Sequence, residues 1–134
     1  MPSKLIEAAL VTQGGFPETL WGLRAIRSAF EGKIIHCESP PPIFSNDYLM
    51  EYAGVFKASF EKFGISPPIL RHKLWRMHSD LIRIECKNLD IQYLPSPPQF
   101  INEEGFLTDS GFGYDTSHAN AAYGKALITN IINL

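Results

Sequence analysis

The stretch "KIIHCESPPPIFSN", residues 33–46, joins a short β-rich run to a segment that cannot form regular structure. The run "KIIHCE" (33–38) has the β-branched residues typical of a strand. The prolines that follow fix φ and lack a backbone N–H, so the strand is expected to end there. A similar short strand, "IQYLP" (91–95), leads into a long loop that begins "SPPQF". These two strands with proline-rich ends are the basis of the predicted fold.

Helical patterns lie before, between and after the two strands. Apolar residues recur at helical spacing over residues 17–30, and Gly32 follows them. Three further helices are predicted: from an N-cap at Asp47 to about Phe63, from Ser66 and Pro67 with Leu70 to Ile84 on one face, and from about Ala119 to Ile132. Residues 3–12 are consistent with either a short helix or a strand, because periodicity does not decide for so short a run. Helices between short strands predict an α/β fold with a parallel sheet.

Composition predicts an ordinary globular domain that covers residues 1–134. Apolar residues make up 45% of the chain and charged residues 19%, and the formal net charge is −2. This charge gives no reason to expect nucleic acid or an anionic membrane as a partner. No run approaches the roughly 20 apolar residues of a membrane span, and the start lacks the apolar region of a signal peptide. With only two cysteines, interpreted as buried free thiols, a cytoplasmic location is expected.

The stretch "GYDTSHANAAYGKALITNII", residues 113–132, places an aspartate three positions before a histidine at the start of the last helix. A histidine that acts as a general base needs one ring nitrogen free for the nucleophile and the other held by an acceptor. Asp115 can supply that acceptor to His118. The alternative is structural, with Asp115 as a turn residue and His118 as a hydrogen-bonding residue at the helix start.

The residues around this pair favour the catalytic interpretation. The stretch "GFLTDSGFGYDTSHANAAYGKALI" (105–128) resembles the C-terminal block of SGNH (GDSL-type) hydrolases, in which Asp-x-x-His, a small residue, Asn and a helical Gly follow one another. Those positions are here Asp115, His118, Ala119, Asn120 and Gly124. The resemblance covers roughly residues 17–134 and is strongest over 91–128. It implies part of a three-layer, flavodoxin-like architecture, with a short parallel sheet flanked by helices.

The resemblance also implies a nucleophilic serine, and the chain has no match to the Gly-Asp-Ser block that supplies it in the family. The family's Gly and Gly-x-Asn-Asp blocks, which form the oxyanion hole, are also without a match. Ser39 is the best substitute, since it follows the 33–38 strand and would face the same sheet edge as His118. The alternative is that Ser39 begins a turn before the three prolines. Ser110 and Ser117 are weaker candidates, and Ser117 with Thr116 is expected to cap the last helix.

Two functions follow as expectations. The first is an SGNH-type ester hydrolase domain or fragment, in which His118 is the general base for a small-molecule ester or an acylated sugar. The missing serine predicts little turnover by the chain alone. The second is a non-catalytic α/β binding or assembly module that pairs through an exposed sheet edge, with a second copy or with a polypeptide that carries the N-terminal half.

No cofactor or metal is predicted. The neighbours His36, Cys37 and Glu38 lie on a strand, where consecutive side chains point to opposite faces and cannot chelate together. Neither His-Glu-x-x-His nor a pair of Cys-x-x-Cys motifs occurs. "RHKLWRMH" (71–78) has too few cations for a nucleic-acid stripe, and Trp75 is interpreted as a packing residue.

Overall fold

A computed structural model of the chain describes residues 16–134. These residues form two compact units, one made of residues 16–38 and 76–94 and the other of residues 39–75 and 95–134. The undecided segment 3–12 lies outside the described residues. The assignment of residues 1–134 to a single domain stays a prediction.

The first unit contains the parallel sheet. Its strands are β1 (Ile35–Cys37) and β2 (Gln92–Leu94), which pair in parallel with Ile35 opposite Gln92 and Cys37 opposite Leu94. Helix α1 (Phe16–Ala29) precedes β1. A long helix, Pro68–Asn88, leads into β2 and contributes its residues 76–88 to this unit. The predicted α/β class with a short parallel sheet flanked by helices is confirmed.

The helices of the first unit bury short apolar stripes against the sheet. The core consists of Phe16, Leu23, Ile82, Cys86 and Ile91, with Leu20, Ile34 and Tyr93 packed around it. Burial of such side chains stabilises the unit through the hydrophobic effect. On the long helix the buried residues are Ser79, Ile82 and Cys86. Of the predicted apolar face, Leu81 packs against this core, whereas Leu70 is 40% and Ile84 59% exposed, so the prediction is wrong at both ends of that face.

The second unit begins with three short helical segments. Helix α2 (Asn46–Glu51) is followed by the 3₁₀ turn Gly54–Phe56 and by α3 (Lys57–Phe63). The prediction of one continuous helix capped by Asp47 is therefore wrong. Ser45 is the N-cap, since its hydroxyl accepts a hydrogen bond from the amide of Tyr48 at 3.1 Å, and Gly54 with φ of +51° interrupts the helix. Gly64 ends α3 as predicted, with φ of +78°.

The long helix Pro68–Asn88 is α4, and it starts at Pro68 rather than at Ser66 and Pro67. The loop after β2 contains the 3₁₀ turns Pro98–Phe100 and Asp109–Gly111, and α5 (Ala121–Ile132) follows. The core of the second unit consists of Ile43, Leu49, Phe100, Leu107 and Tyr123. No helix within residues 16–134 has both the length and the apolar composition needed to cross a membrane.

Candidate active site

Asp115 and His118 form a hydrogen-bonded pair. Asp115 Oδ2 lies 2.8 Å from His118 Nδ1. The other carboxylate oxygen, Oδ1, accepts the backbone amides of Ser117 at 2.8 Å and His118 at 2.7 Å. These two amides, together with the His118 ring, lower the pKa of Asp115 from 3.8 to about 2. Asp115 is therefore a carboxylate at neutral pH and can hold the histidine ring in one orientation.

The pair lies at the tip of a turn whose two arms are bonded to each other. Phe112 and Ala119 form an antiparallel bridge, the amide of Gly113 donates to the carbonyl of His118 at 3.1 Å, and the amide of Asn120 donates to Gly111 at 2.9 Å. Tyr48 fastens the turn to α2, since its hydroxyl donates to the carbonyl of Gly113 at 2.6 Å. Both members of the pair are thus carried by a segment that the rest of the unit fixes.

Asn120 is the N-cap of the last helix. Its Oδ1 accepts the amide of Tyr123 at 3.1 Å, and its Nδ2 donates to the carbonyl of Ser110 at 2.7 Å. The expectations that Thr116 and Ser117 cap this helix and that it starts near Ala119 are wrong. The reason is local: Asp115 binds the amides of Ser117 and His118 and keeps the chain in a turn, so the helix begins at Ala121.

His118 borders a cleft of about 180 Å³ in the second unit. Its other lining residues are Pro40, Pro41, Pro42, Ile43, Trp75, Leu107, Thr116 and Ser117. Trp75 is half-buried; its indole Nε1 donates to the carbonyl of Ser39 at 3.0 Å and its ring stacks on His72. The predicted packing residue thus also forms a wall of the cleft. The cleft is largely apolar, with imidazole and hydroxyl groups on one side.

The ring nitrogens of His118 have different environments. With Asp115 as the acceptor at Nδ1, the neutral ring carries its proton on Nδ1 and leaves the Nε2 lone pair as a base. The His118 side chain is 80% exposed, so the ring is accessible to a reactant. This is the arrangement that a general base needs.

The candidate nucleophiles Ser39, Ser110 and Ser117 form no hydrogen bond with His118 Nε2. Ser39 forms no hydrogen bond with His118, and its backbone carbonyl accepts Trp75 and, at 3.3 Å, Ser96 Oγ. Ser110 Oγ pairs with Thr108 Oγ1 at 2.9 Å. Ser117 Oγ lies 3.4 Å from His118 Nδ1, the nitrogen that Asp115 already engages. None of these three hydroxyls forms a hydrogen bond with His118 Nε2.

A second polar cluster lies in the first unit. Glu38 is 7% exposed; its Oε1 accepts the Tyr93 hydroxyl at 2.7 Å and lies 3.7 Å from Arg83 Nη2. His36 stacks on Tyr93, and burial lowers the pKa of His36. Over residues 16–134, no three His, Cys, Asp or Glu side chains converge in a way that could hold a metal ion.

Sequence reasoning missed two features near the candidate site. One is the Trp75 wall of the cleft. The other is Arg71, which donates to the carbonyls of Ile43 at 2.8 Å and Phe44 at 3.0 Å. The position of Arg71 in the first turn of α4 gives no hint of these partners, because they come from a segment more than 25 residues earlier in the chain.

Comparison of the chain with protein-family models, curated proteins and solved structures finds no match. The relation to SGNH-type hydrolases therefore stays a prediction, based on roughly residues 17–134 and most strongly on residues 91–128. The chemistry available to the chain follows from the geometry of the Asp115–His118 pair and its cleft.

Proposed function

We propose that this chain supplies the general base of a serine ester hydrolase site, with His118 as the base and Asp115 as the residue that orients it. The observation that supports this proposal best is the 2.8 Å hydrogen bond between Asp115 Oδ2 and His118 Nδ1, which leaves Nε2 as the acceptor. The proposed substrates are small-molecule esters or acylated sugars.

In this mechanism His118 Nε2 takes the proton of a serine hydroxyl while the serine oxygen bonds to the ester carbonyl carbon. The resulting imidazolium is stabilised by the Asp115 carboxylate. It then gives its proton to the leaving alkoxide as the ester C–O bond breaks, and an acyl-serine is left. Water deacylates this intermediate when His118 repeats both proton transfers, so the enzyme returns to its starting state.

The nucleophile is proposed to lie on a polypeptide segment outside residues 1–134 that carries a Gly-Asp-Ser block. Two observations support this: residues 1–134 contain no such block, and the hydroxyls of Ser39, Ser110 and Ser117 form no hydrogen bond with His118 Nε2. Without a serine and an oxyanion hole, the chain retains only water activation by His118. We therefore expect turnover by the chain alone to lie orders of magnitude below that of a complete triad, by roughly 10³-fold or more.

The first experiment measures p-nitrophenyl acetate hydrolysis by the chain and by His118→Ala and Asp115→Asn variants. If His118 acted as an isolated histidine, Asp115→Asn would keep the hydrolytic activity of the chain. If Asp115 orients His118, both Asp115→Asn and His118→Ala are expected to lose activity. Asp109→Asn is the matched control, because Asp109 is an exposed loop aspartate with no side-chain hydrogen bond to His118. Because turnover by the chain alone is expected to be slow, both rates are compared with uncatalysed hydrolysis; a rate above it that is equal in the chain and in His118→Ala would refute the proposal.

A second experiment locates the nucleophile. A fluorophosphonate probe reacts with serines that a neighbouring base has activated. We expect the chain alone to stay unlabelled, and labelling that disappears in Ser39→Ala would show instead that the chain supplies its own nucleophile.

A specific observation also supports the assembly function. Among residues 16–134, β1 and β2 pair only with each other, so each strand has one edge without a strand partner. Such edges can accept another strand. Light scattering during gel filtration tests this alternative: a stable dimer whose ester hydrolysis does not depend on His118 would favour assembly over catalysis.

A further inference from the structure

The second unit has a groove in addition to the His118 cleft, and Thr116 and Ser117 line both. Its volume is about 300 Å³, near the lower end for small-molecule sites. Most of its lining is apolar or lacks a side chain: Leu49, Phe56, Phe60, Gly64 and Ile65. Its polar lining residues are Ser66, Arg71, Thr116 and Ser117. The groove thus combines hydrocarbon walls with a single cationic side chain.

Arg71 has no anionic partner among the described residues. Its Nη2 donates to the carbonyls of Ile43 and Phe44, and its Nη1 donates to Asn46 Oδ1 at 2.8 Å and to the carbonyl of Ser66. All four acceptors are neutral. No carboxylate within residues 16–134 lies within ion-pairing distance of the guanidinium. The positive charge of Arg71 is therefore balanced only by carbonyl and amide dipoles.

One donor of Arg71 is unused. A guanidinium has five N–H groups, and the Nε–H of Arg71 is covered from solvent without a hydrogen-bond partner. A buried polar group without a partner is costly, and burial lowers the pKa of Arg71 from its usual value. An anion that reached Nε would satisfy this donor and would favour the charged guanidinium.

We propose that this groove binds the anion of a small apolar carboxylic acid, with its hydrocarbon part against Phe56, Phe60 and Leu49 and its carboxylate at Arg71. Charge-assisted hydrogen bonds from a guanidinium favour a carboxylate over a neutral amide or alcohol of the same shape. Because Nε is covered, we expect groove-lining side chains to shift on binding. The site does not depend on ester hydrolysis by His118.

Calorimetric titration of the full chain with sodium octanoate tests this site. Octanamide of the same chain length is expected to bind at least about tenfold more weakly, because it cannot form a charge-assisted pair with Arg71. Across hexanoate, heptanoate and octanoate, each added methylene is expected to strengthen binding by up to about fourfold. Binding of octanamide as tight as that of octanoate, or no binding of octanoate at millimolar concentration, would overturn the proposal.

Two variants with exposed aromatic side chains locate the site without disturbing the Arg71 hydrogen bonds. Phe56 is 48% exposed and lines the groove, whereas Phe63 is 76% exposed and does not. We expect Phe56→Ala to weaken octanoate binding and Phe63→Ala to leave it unchanged. An equal loss in both, or no loss in Phe56→Ala, would place octanoate elsewhere and refute the groove as its site.

A third variant separates this inference from the proposed hydrolase function. His118→Ala removes the proposed base but no groove-lining residue, so octanoate binding is expected to stay the same. Binding lost in His118→Ala would mean that octanoate occupies the His118 cleft, and the proposed groove site would be wrong.

Discussion

The backbone amide of Gly113 donates to the carbonyl oxygen of His118 at 3.1 Å, and a Cβ atom at position 113 would lie only 2.5 Å from that same oxygen. The two arms of the turn that carries Asp115 and His118 therefore approach more closely than a side chain at position 113 permits. Gly124 is the contrasting case, because a Cβ there meets nothing within 4 Å although the residue lies inside α5.

The first prediction compares these two glycines. Gly113→Ala is expected to lower the free energy of unfolding by about 1–3 kcal/mol, because backbone must move to relieve the overlap. Gly124→Ala is expected to raise it by about 0.5–1 kcal/mol, because alanine favours a helix interior. Urea unfolding followed by circular dichroism measures both values. Changes of the same sign in the two variants would contradict the described packing of the turn.

The second prediction concerns the cap at Asn120. Asn120→Ala removes the acceptor for the Tyr123 amide and the donor to Ser110, and is expected to lower the unfolding free energy by about 1–2 kcal/mol. Asn120→Ser keeps a capping oxygen but loses the bond to Ser110, so its loss is expected to be smaller. If both substitutions had the same effect in chemical unfolding, the cap would contribute nothing beyond the Ser110 bond.

The third prediction follows from the lowered pKa of Asp115. A carboxyl group whose folded-state pKa lies below its usual value of 3.8 stabilises the fold above about pH 4. This contribution is lost as the pH falls through the folded-state value of about 2. Asp115→Asn is therefore expected to be less stable than the parent at neutral pH, with the difference shrinking between pH 4 and pH 2. Thermal unfolding across that range measures it, and a constant difference would contradict the assigned hydrogen bonds.

The fourth prediction concerns His36 and His78 in the first unit. Burial lowers the pKa of both rings from 6.5, and the proximity of His78 adds to the shift of His36 while Glu38 opposes it. Since the unfolded chain then binds protons more readily than the folded chain, stability is expected to fall as the pH drops below about 6.5.

A double His36→Gln, His78→Gln variant should show a flatter dependence of melting temperature between pH 7 and pH 5. A dependence as steep in the double variant as in the parent chain would contradict this prediction.

The strands and the Asp115–His118 contact could be predicted because their determinants are local. Prolines end β1 and follow β2 wherever the rest of the chain lies, and an aspartate three residues before a histidine needs only a turn to meet it. The prediction of one continuous helix from Asp47 to about Phe63 was wrong because its apolar pattern does not show where the helix is interrupted. The apolar residues of the pattern continue past Tyr52. In the structure, however, Gly54 has a positive φ and interrupts the helix, next to Ala53, which is only 2% exposed.

Local sequence was sufficient to predict the parallel α/β pattern and the contact between Asp115 and His118, because propensity, proline and short-range hydrogen bonds decide both. The surroundings of that pair, in contrast, depend on long-range contacts. Trp75 and Pro42 line its cleft and Arg71 binds the carbonyls of Ile43 and Phe44, through contacts between residues far apart in sequence. Such contacts depend on which surfaces pack together to exclude water, and no local pattern encodes that choice.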